Sequence, residues 1–315
     1  MSPARSARKA GRKKAARRGP AAGTVGWLLD EGERRLTKRD VEFPDTSVLW
    51  LLAAVLGELE DPDILSRRRR QRVDPADEKR YWELIARREK HEPYQYIVGV
   101  TDFRDRLMEI EHGVFVPRAQ SERMCDEIEK WAKKRKRPRG GWRIAELGAG
   151  SGAVAVSLAL GPLAPRRVWA VDISLQALEL VRRNARRHGV ERKVVPIAGD
   201  WLEWLPPRPL LDMVVAVPPY LNPGDEVYLT EESVRWEPMK SFFGEPSGDD
   251  LLRSLADAAG RRLRPGGLFA CQFDPTQIEM LQAHINKDPD HPLTIEWILV
   301  DEEDEEDAIL AVRTG

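Results

Sequence analysis

The sequence predicts an α/β protein: a doubly wound, mainly parallel seven-stranded sheet with an antiparallel C-terminal hairpin, preceded by a small helical domain. Three observations predict it. From residue 142, short strand-like runs alternate with longer helix-like runs, as in a parallel sheet. A glycine-rich turn at 146–153 joins the first of these strands to a helix. The last two strand-like runs, 294–300 and 308–312, have no helix between them and therefore pair as an antiparallel edge.

The elements follow in order. Residues 1–22 are Arg, Lys, Ala, Gly, Ser and Pro with almost no apolar bulk, the composition of a disordered basic tail. Such a tail serves as an RNA tether, a targeting address or simply a solvated end. Residues 23–100 form a helical domain. Apolar residues recur at three- and four-residue spacing over 25–36, 47–59 and 75–88, and Asp45, Thr46 and Ser47 offer helix-start chemistry. The basic run 67–70 between helices is expected to be a solvated face. Residues 101–118 form a β-hairpin connector, its turn expected at His112-Gly113. The domain 119–315 opens with a helix over 119–134 that runs into the basic stretch 133–139. Strands follow at 143–147, 168–172, 194–198, 213–217 and 268–273, with helices at 153–160, 175–188, 250–263 and 276–285.

Composition narrows the class. The formal net charge of −1 hides opposed blocks, because residues 1–20 hold eight Lys or Arg and no acid, which leaves 21–315 at −9. Residues 301–307 are seven consecutive acids. The longest clean apolar run, 48–56, has nine residues, against the ~18 that a membrane span needs. No apolar stretch follows the basic start, so no secretory signal is expected. Cys125 and Cys271 are too few for a disulfide scaffold and read as buried thiols in a reducing, cytoplasmic compartment. The five histidines show no ligand spacing, so no metal is expected.

The glycine turn carries the chemistry. Gly148, Gly150 and Gly152 remove side chains where a strand enters a helix, so a ligand can approach the backbone and the helix N-terminus. Asp172 ends the next strand, where an acid can take both hydroxyls of a ribose. The plain alternative is a tight turn whose acid caps the following helix. The spacing also admits a dinucleotide. However, Gly-x-Gly-x-Gly with the preceding Glu146 is the pattern of S-adenosylmethionine enzymes. Asp200 and Trp201 after the third strand offer an acceptor and a flat ring for an adenine slot. The fourth strand ends in Val217, Pro218, Pro219 and Tyr220. Two prolines cannot continue a ladder, so the chain leaves the sheet beside the cleft.

These motifs, with EPYQYIVG at 92–99, VFVPRAQSE at 114–122, RWEPMKSFFG at 235–244 and LRPGG at 263–267, resemble the HemK/PrmC-type class I methyltransferases over about residues 24–315. That family methylates the glutamine side-chain amide in the Gly-Gly-Gln motif of peptide-chain release factors, with S-adenosyl-L-methionine as donor. The resemblance implies that Glu146, Gly148, Gly150 and Gly152 hold the methionine part, Asp172 the ribose, and Asp200 and Trp201 the adenine. It implies that Pro218, Pro219 and Tyr220 shape the glutamine slot. The release factor is the implied partner, with RNA or ribosome contact through residues 1–20. The sequence departs from the family at three places. Val217 replaces the asparagine of Asn-Pro-Pro-Tyr, Ala119-Gln120 replace a proline and an acid, and the acidic run 301–307 stands where a short turn is usual. Valine cannot accept a hydrogen bond from the substrate amide. Losing one such preorganised contact costs about 10²–10³ in rate. A different acceptor (ribosomal protein or RNA), or cofactor and partner binding without turnover, is the alternative that Val217 raises.

Overall fold

The computed structural model describes residues 20–288, 291–300 and 308–314. Most of the basic tail and the whole acidic run 301–307 lie outside the described residues. The chain divides into two compact units after Lys90. The break therefore falls before residue 100, and the connector belongs to the sheet-containing unit.

The first unit is helical: α1 (Val25–Thr37), α2 (Pro44–Leu56), the short α3 (Ile64–Arg67) and α4 (Pro75–Arg88). Thr24 and Asp74 cap α1 and α4, accepting from the backbone N–H of Trp27 and Ala76. Helix α2 starts at Pro44, before the residues chosen from sequence, with no side-chain cap. Proline is pre-set for the first helical position, so it took the start. Ser47 instead lies inside the helix, where its hydroxyl accepts from Arg88 Nε at 3.0 Å. The core is formed by Leu28, Leu36, Leu51, Leu52, Tyr81 and Ile85, all fully buried. The run 67–70 is not merely solvated: Arg69 pairs with Asp30, and its carbonyl accepts from Gly26 N–H at 2.9 Å.

The second unit begins with α5 (Tyr94–Val98) and a two-stranded ribbon, β1 (Val100–Asp102) and β2 (Leu107–Glu109). The hairpin turn is thus at 103–106, not at His112-Gly113. Arg104 and Asp105 take positive φ there. Tertiary contacts explain this unusual choice. The Arg104 guanidinium reaches Glu129 at 3.0 Å and Ser157 at 3.1 Å, and the backbone N–H of Arg104 donates to the Glu122 carboxylate at 3.1 Å.

The ribbon leads into α6 (Ala119–Lys133) and then a seven-stranded sheet. Its elements are β3 (Arg143–Leu147), α7 (Ala153–Leu160), β4 (Arg167–Asp172), α8 (Leu175–Arg187), β5 (Val194–Ala198), β6 (Leu211–Ala216), α9 (Glu231–Trp236), α10 (Gly248–Arg262), β7 (Leu263–Phe273), α11 (Ile278–Lys287), β8 (Leu293–Val300) and β9 (Ala308–Thr314). Strand order is β5-β4-β3-β6-β7-β9-β8; β3 to β7 run parallel, β9 runs antiparallel to them, and β8, antiparallel to β9, returns to their direction. Both faces of the central strands are covered, and every residue of β6 is buried, which is why it reads as an apolar run over 213–216, interrupted only by Asp212 near its start. The order reverses between β3 and β6, so their carboxyl ends open a crevice.

Asn184, fully buried on α8, ties the ribbon to the crevice. Its amide NH₂ donates to Glu109 O at 3.0 Å and Ser151 O at 2.9 Å, and its carbonyl accepts from Glu109 N–H at 2.7 Å. Replacing it with leucine keeps the branched outline of the side chain but adds bulk and strands those backbone groups. Asn184→Leu should lose about 2–4 kcal/mol of stability, read as a lowered urea midpoint at unchanged m-value.

Candidate functional site

The crevice is built on the turn between β3 and α7. Gly148, Gly150 and Gly152 have φ of +71°, +52° and +78°, which side chains rarely adopt. The turn is held from outside. Val171 O accepts from both Gly148 N–H and Ala149 N–H at 2.9 Å. The Asp172 carboxylate accepts from Gly150 N–H at 2.9 Å and from Ser174 N–H at 2.8 Å, one on each oxygen. Each oxygen keeps a lone pair for a ligand hydroxyl. Helix α8 is capped by Ser174, whose hydroxyl accepts from Ala177 N–H at 3.3 Å, so capping is not the role of Asp172.

Glu146 lies behind the turn. It is buried, and its carboxylate accepts from Ala155 N–H, in the first turn of α7, at 2.9 Å. Burial pushes its carboxyl well above the usual range; that hydrogen bond opposes the shift and the nearby Asp172 charge adds to it. Asp200 is exposed just after β5. Trp201 takes a left-handed φ of 43°, which turns its ring toward the glycine turn. A Cβ on Gly148 would lie 3.5 Å from that ring and 3.4 Å from the carbonyl oxygen of Val217. Glycine thus leaves a cradle bounded by the ring on one side and the segment after β6 on the other.

That segment runs through Val217, Pro218, Pro219 and Tyr220. The Val217 side chain packs on the apolar cluster beneath the sheet, and Tyr220 packs on the cluster of the opposite face. Groups that the sequence reading did not single out fix the segment's path. A Cβ on Gly248 would meet Tyr220 O at 1.8 Å, and one on Gly244 would meet Pro219 O at 2.8 Å. The buried Gln277 donates through its amide NH₂ to Tyr220 O and to Asp249, both at 2.8 Å, while its carbonyl accepts from Asp274 N–H at 3.1 Å. Buried Glu237 accepts from Val116 N–H at 3.1 Å and pairs with Arg118. The motif WEP marked Glu237 in the sequence, but only the fold supplies its partners. Tyr96 donates to Val114 O at 2.6 Å, which anchors α5 to the same wall.

His284 and His291, unclustered by spacing, meet on Asp257 at 2.9 and 3.1 Å. His291 Nδ1 accepts from Leu293 N–H at 3.1 Å, so its Nε2 carries a proton directed at Asp257. This arrangement is a polar clamp between α10 and the start of β8. Both cysteines are fully buried, which pushes their thiols up and makes them inert.

The cradle fits S-adenosylmethionine: it is open at backbone level, has acceptors for hydroxyls, and offers a flat ring. Comparisons with known proteins agree. Residues 28–99 match the PrmC N-terminal domain, and residues 144–236 match a methyltransferase domain. The release factor glutamine methyltransferase of Moorella thermoacetica is 36% identical over 256 residues, covering 81% of this chain and 87% of that protein. The enzyme of the same name from Streptomyces coelicolor is 35% identical, covering 78% and 84%. A solved Pyrococcus furiosus methyltransferase is 17% identical with a TM-score of 0.49, covering 73% of this chain and 99% of that one. The chain is an S-adenosylmethionine-dependent methyltransferase with a Rossmann-like sheet. It belongs to the release factor glutamine methyltransferase family.

Two outcomes follow from this geometry. Gly248→Ala pushes its Cβ into the Tyr220 carbonyl while leaving the glycine turn alone. It should lower kcat by ~10²-fold with unchanged cofactor affinity by calorimetry. Glu146 has a raised pKa when folded, so its ionisation favours the unfolded chain. The penalty is absent below the unfolded pKa and grows as pH rises toward the folded value. Glu146→Gln, which keeps an acceptor for Ala155 N–H, should therefore be more stable than the parent by a margin that widens with pH above about 4.5 in chemical denaturation.

Proposed function

We propose that this enzyme transfers a methyl group to the side-chain amide nitrogen of the glutamine in the Gly-Gly-Gln motif of a peptide-chain release factor, in the cytoplasm. The observation that carries the reading is the approach of the Val217 carbonyl to Gly148, which brings the cofactor turn and the segment after β6 to one point. When bound, the cofactor supplies an electrophilic methyl group on a sulfonium. The protein's task is to hold a poor nucleophile in line with it. An amide nitrogen has its lone pair delocalised, so orientation and stabilisation of the developing positive charge dominate.

Gly148, Gly150 and Gly152 admit the methionine end to the backbone, and Asp172 takes the ribose hydroxyls. Asp200 and Trp201 flank the adenine. Backbone carbonyls of the segment at Val217 and Pro218 accept the substrate NH₂, and Pro219 and Tyr220 wall the slot and exclude water. No covalent enzyme intermediate is required. The basic residues 1–20 add charge for ribosome or RNA contact.

Val217 contributes no side-chain acceptor, and its packing against the buried cluster makes that part of the slot apolar. This favours one second reading: a different acceptor, on a ribosomal protein or an RNA, or binding without turnover. The deciding experiment is a methyl-transfer assay on purified release factor with mass mapping. The methyl group should map to the glutamine, and Val217→Asn should raise kcat by ~10²–10³-fold. If neither the parent nor Val217→Asn modifies that glutamine, the release-factor reading fails. If the methyl group appears instead on a ribosomal protein or RNA, the second reading takes its place.

A further inference from the structure

The edge of the sheet opposite the crevice carries a concentration of positive charge that methyl transfer does not use. Each of the five parallel strands starts at this edge, and each is led in by basic residues. Arg139 and Arg143 lead into β3, Arg166 and Arg167 into β4, and Arg192 and Lys193 into β5. Arg208 precedes β6, and Arg261 and Arg264 flank the start of β7. Register makes them neighbours. Arg143 pairs with Arg167 across β3 and β4, Val168 pairs with Val194, and Leu211 pairs with Leu263. With strands about 4.8 Å apart, five starts form a basic row roughly 20 Å long. The end of α6 adds Lys133, Lys134 and Lys136, all exposed.

Part of this charge is used internally, by Arg264 on Asp212 and by Lys193 on Ala159 O. Among the described residues, no ion pair engages Lys133, Lys136, Arg139, Arg166 or Arg167. The acids beside these five starts include exposed Glu191 and buried Asp212, while Asp257 and Asp288 lie by the start of β8. Asp212 is already held by Arg143 N–H at 2.8 Å and Arg264 at 3.3 Å. The crevice edge has the opposite character, with Asp172, Asp200, Glu231, Glu232, Asp249 and Asp274 at or after the strand ends. The unit is therefore polarised along the strand direction, although residues 21–315 sum to a net negative charge.

From this geometry we infer that the strand-start edge is a docking surface for the phosphate backbone of an RNA. The row is rich in arginine, whose fork matches phosphate oxygens. Of the exposed large apolar residues among those described, only Leu160 at the end of α7 stands near it. That lack of insertable apolar surface disfavours a membrane, which would need it. Contact is through charge and spacing, without base readout. The acidic crevice edge repels phosphate, so RNA bound at the far edge leaves the slot open for a protein substrate. The choice of RNA rests on the proposed substrate being a translation factor. RNA binding and methyl transfer are therefore measured separately, so that either can fail alone.

The test uses the full chain, a fluorescein-labelled RNA hairpin and anisotropy across a potassium chloride series. The variant neutralises four exposed positions that make no described side-chain contact: Lys136→Gln, Arg139→Gln, Arg166→Gln and Arg167→Gln. The parent should bind with an affinity that falls linearly on a log–log plot against salt. The variant should lose at least ~10-fold in affinity at low salt, and its slope should shrink by about 0.9 per lost phosphate contact. Its cofactor affinity should be unchanged, which shows an intact fold. The inference is overturned if the parent does not bind the hairpin. It is also overturned if the variant keeps the parent's affinity and slope, which would place binding on residues 1–20. Equal binding to phosphatidylserine vesicles, with the same loss in the variant, would assign the edge to a membrane surface instead.

Discussion

Five residues of backbone, Gly148 to Gly152, set the terms for the rest of the catalytic unit. They reverse the chain from β3 into α7 through three left-handed glycines. Glycine adopts such φ values without strain but loses the most chain entropy in being fixed there, so the turn needs restraints from outside. Here each side contributes one restraint: the Val171 carbonyl, the Asp172 carboxylate, the Asn184 amide on Ser151, and the Glu146 carboxylate behind the helix start. Three of these partners are themselves placed by neighbouring strands and helices. The turn is thus a product of the packed sheet as much as of its glycines.

The wall facing that turn is assembled from distant sequence. The segment after β6 carries the prolines and tyrosine. Its path depends on Gly244 and Gly248, whose missing side chains admit two carbonyls, and on Gln277, whose amide is fully used in holding Tyr220 and Asp249. On the other flank, Glu237 fixes Val116 and Arg118, and Arg118 lies over Phe115 at 4.6 Å. Phe115 in turn meets Phe242 edge-on at 5.3 Å. The short helix α5 and the ribbon are therefore part of the site's frame, which explains why the compact unit begins at His91 rather than near residue 119.

Charge follows the same axis. A parallel sheet gathers all its strand starts at one edge and all its strand ends at the other. Basic residues that are scattered over more than a hundred positions then become one row, and the acids that follow the strands become the rim of the crevice. A net charge near zero conceals this, because summation discards position.

Much of the fold was legible in the chain. Strand and helix alternation, the glycine turn, Asp172 at a strand end and the helix-free C-terminal pair all express local periodicity and turn chemistry, which act over a few residues. The apolar run 213–216 declared the burial of the end of β6 in the same way. Failures fell where a long-range partner decided. The hairpin turn moved to 103–106 because Arg104 has buried partners on α6 and α7, and Ser47, inside α2, serves Arg88 instead of the helix start. Gln277, Asn184 and Gly248 gave no usable signal, since a buried amide or a close-packed glycine looks ordinary in sequence. The sequence by itself determined the order of elements, the cofactor class and the family, because each is written in contiguous motifs. Only the tertiary structure decided which carbonyls and side chains meet at the slot and how charge divides between the two sheet edges, because those depend on contacts between residues far apart in the chain.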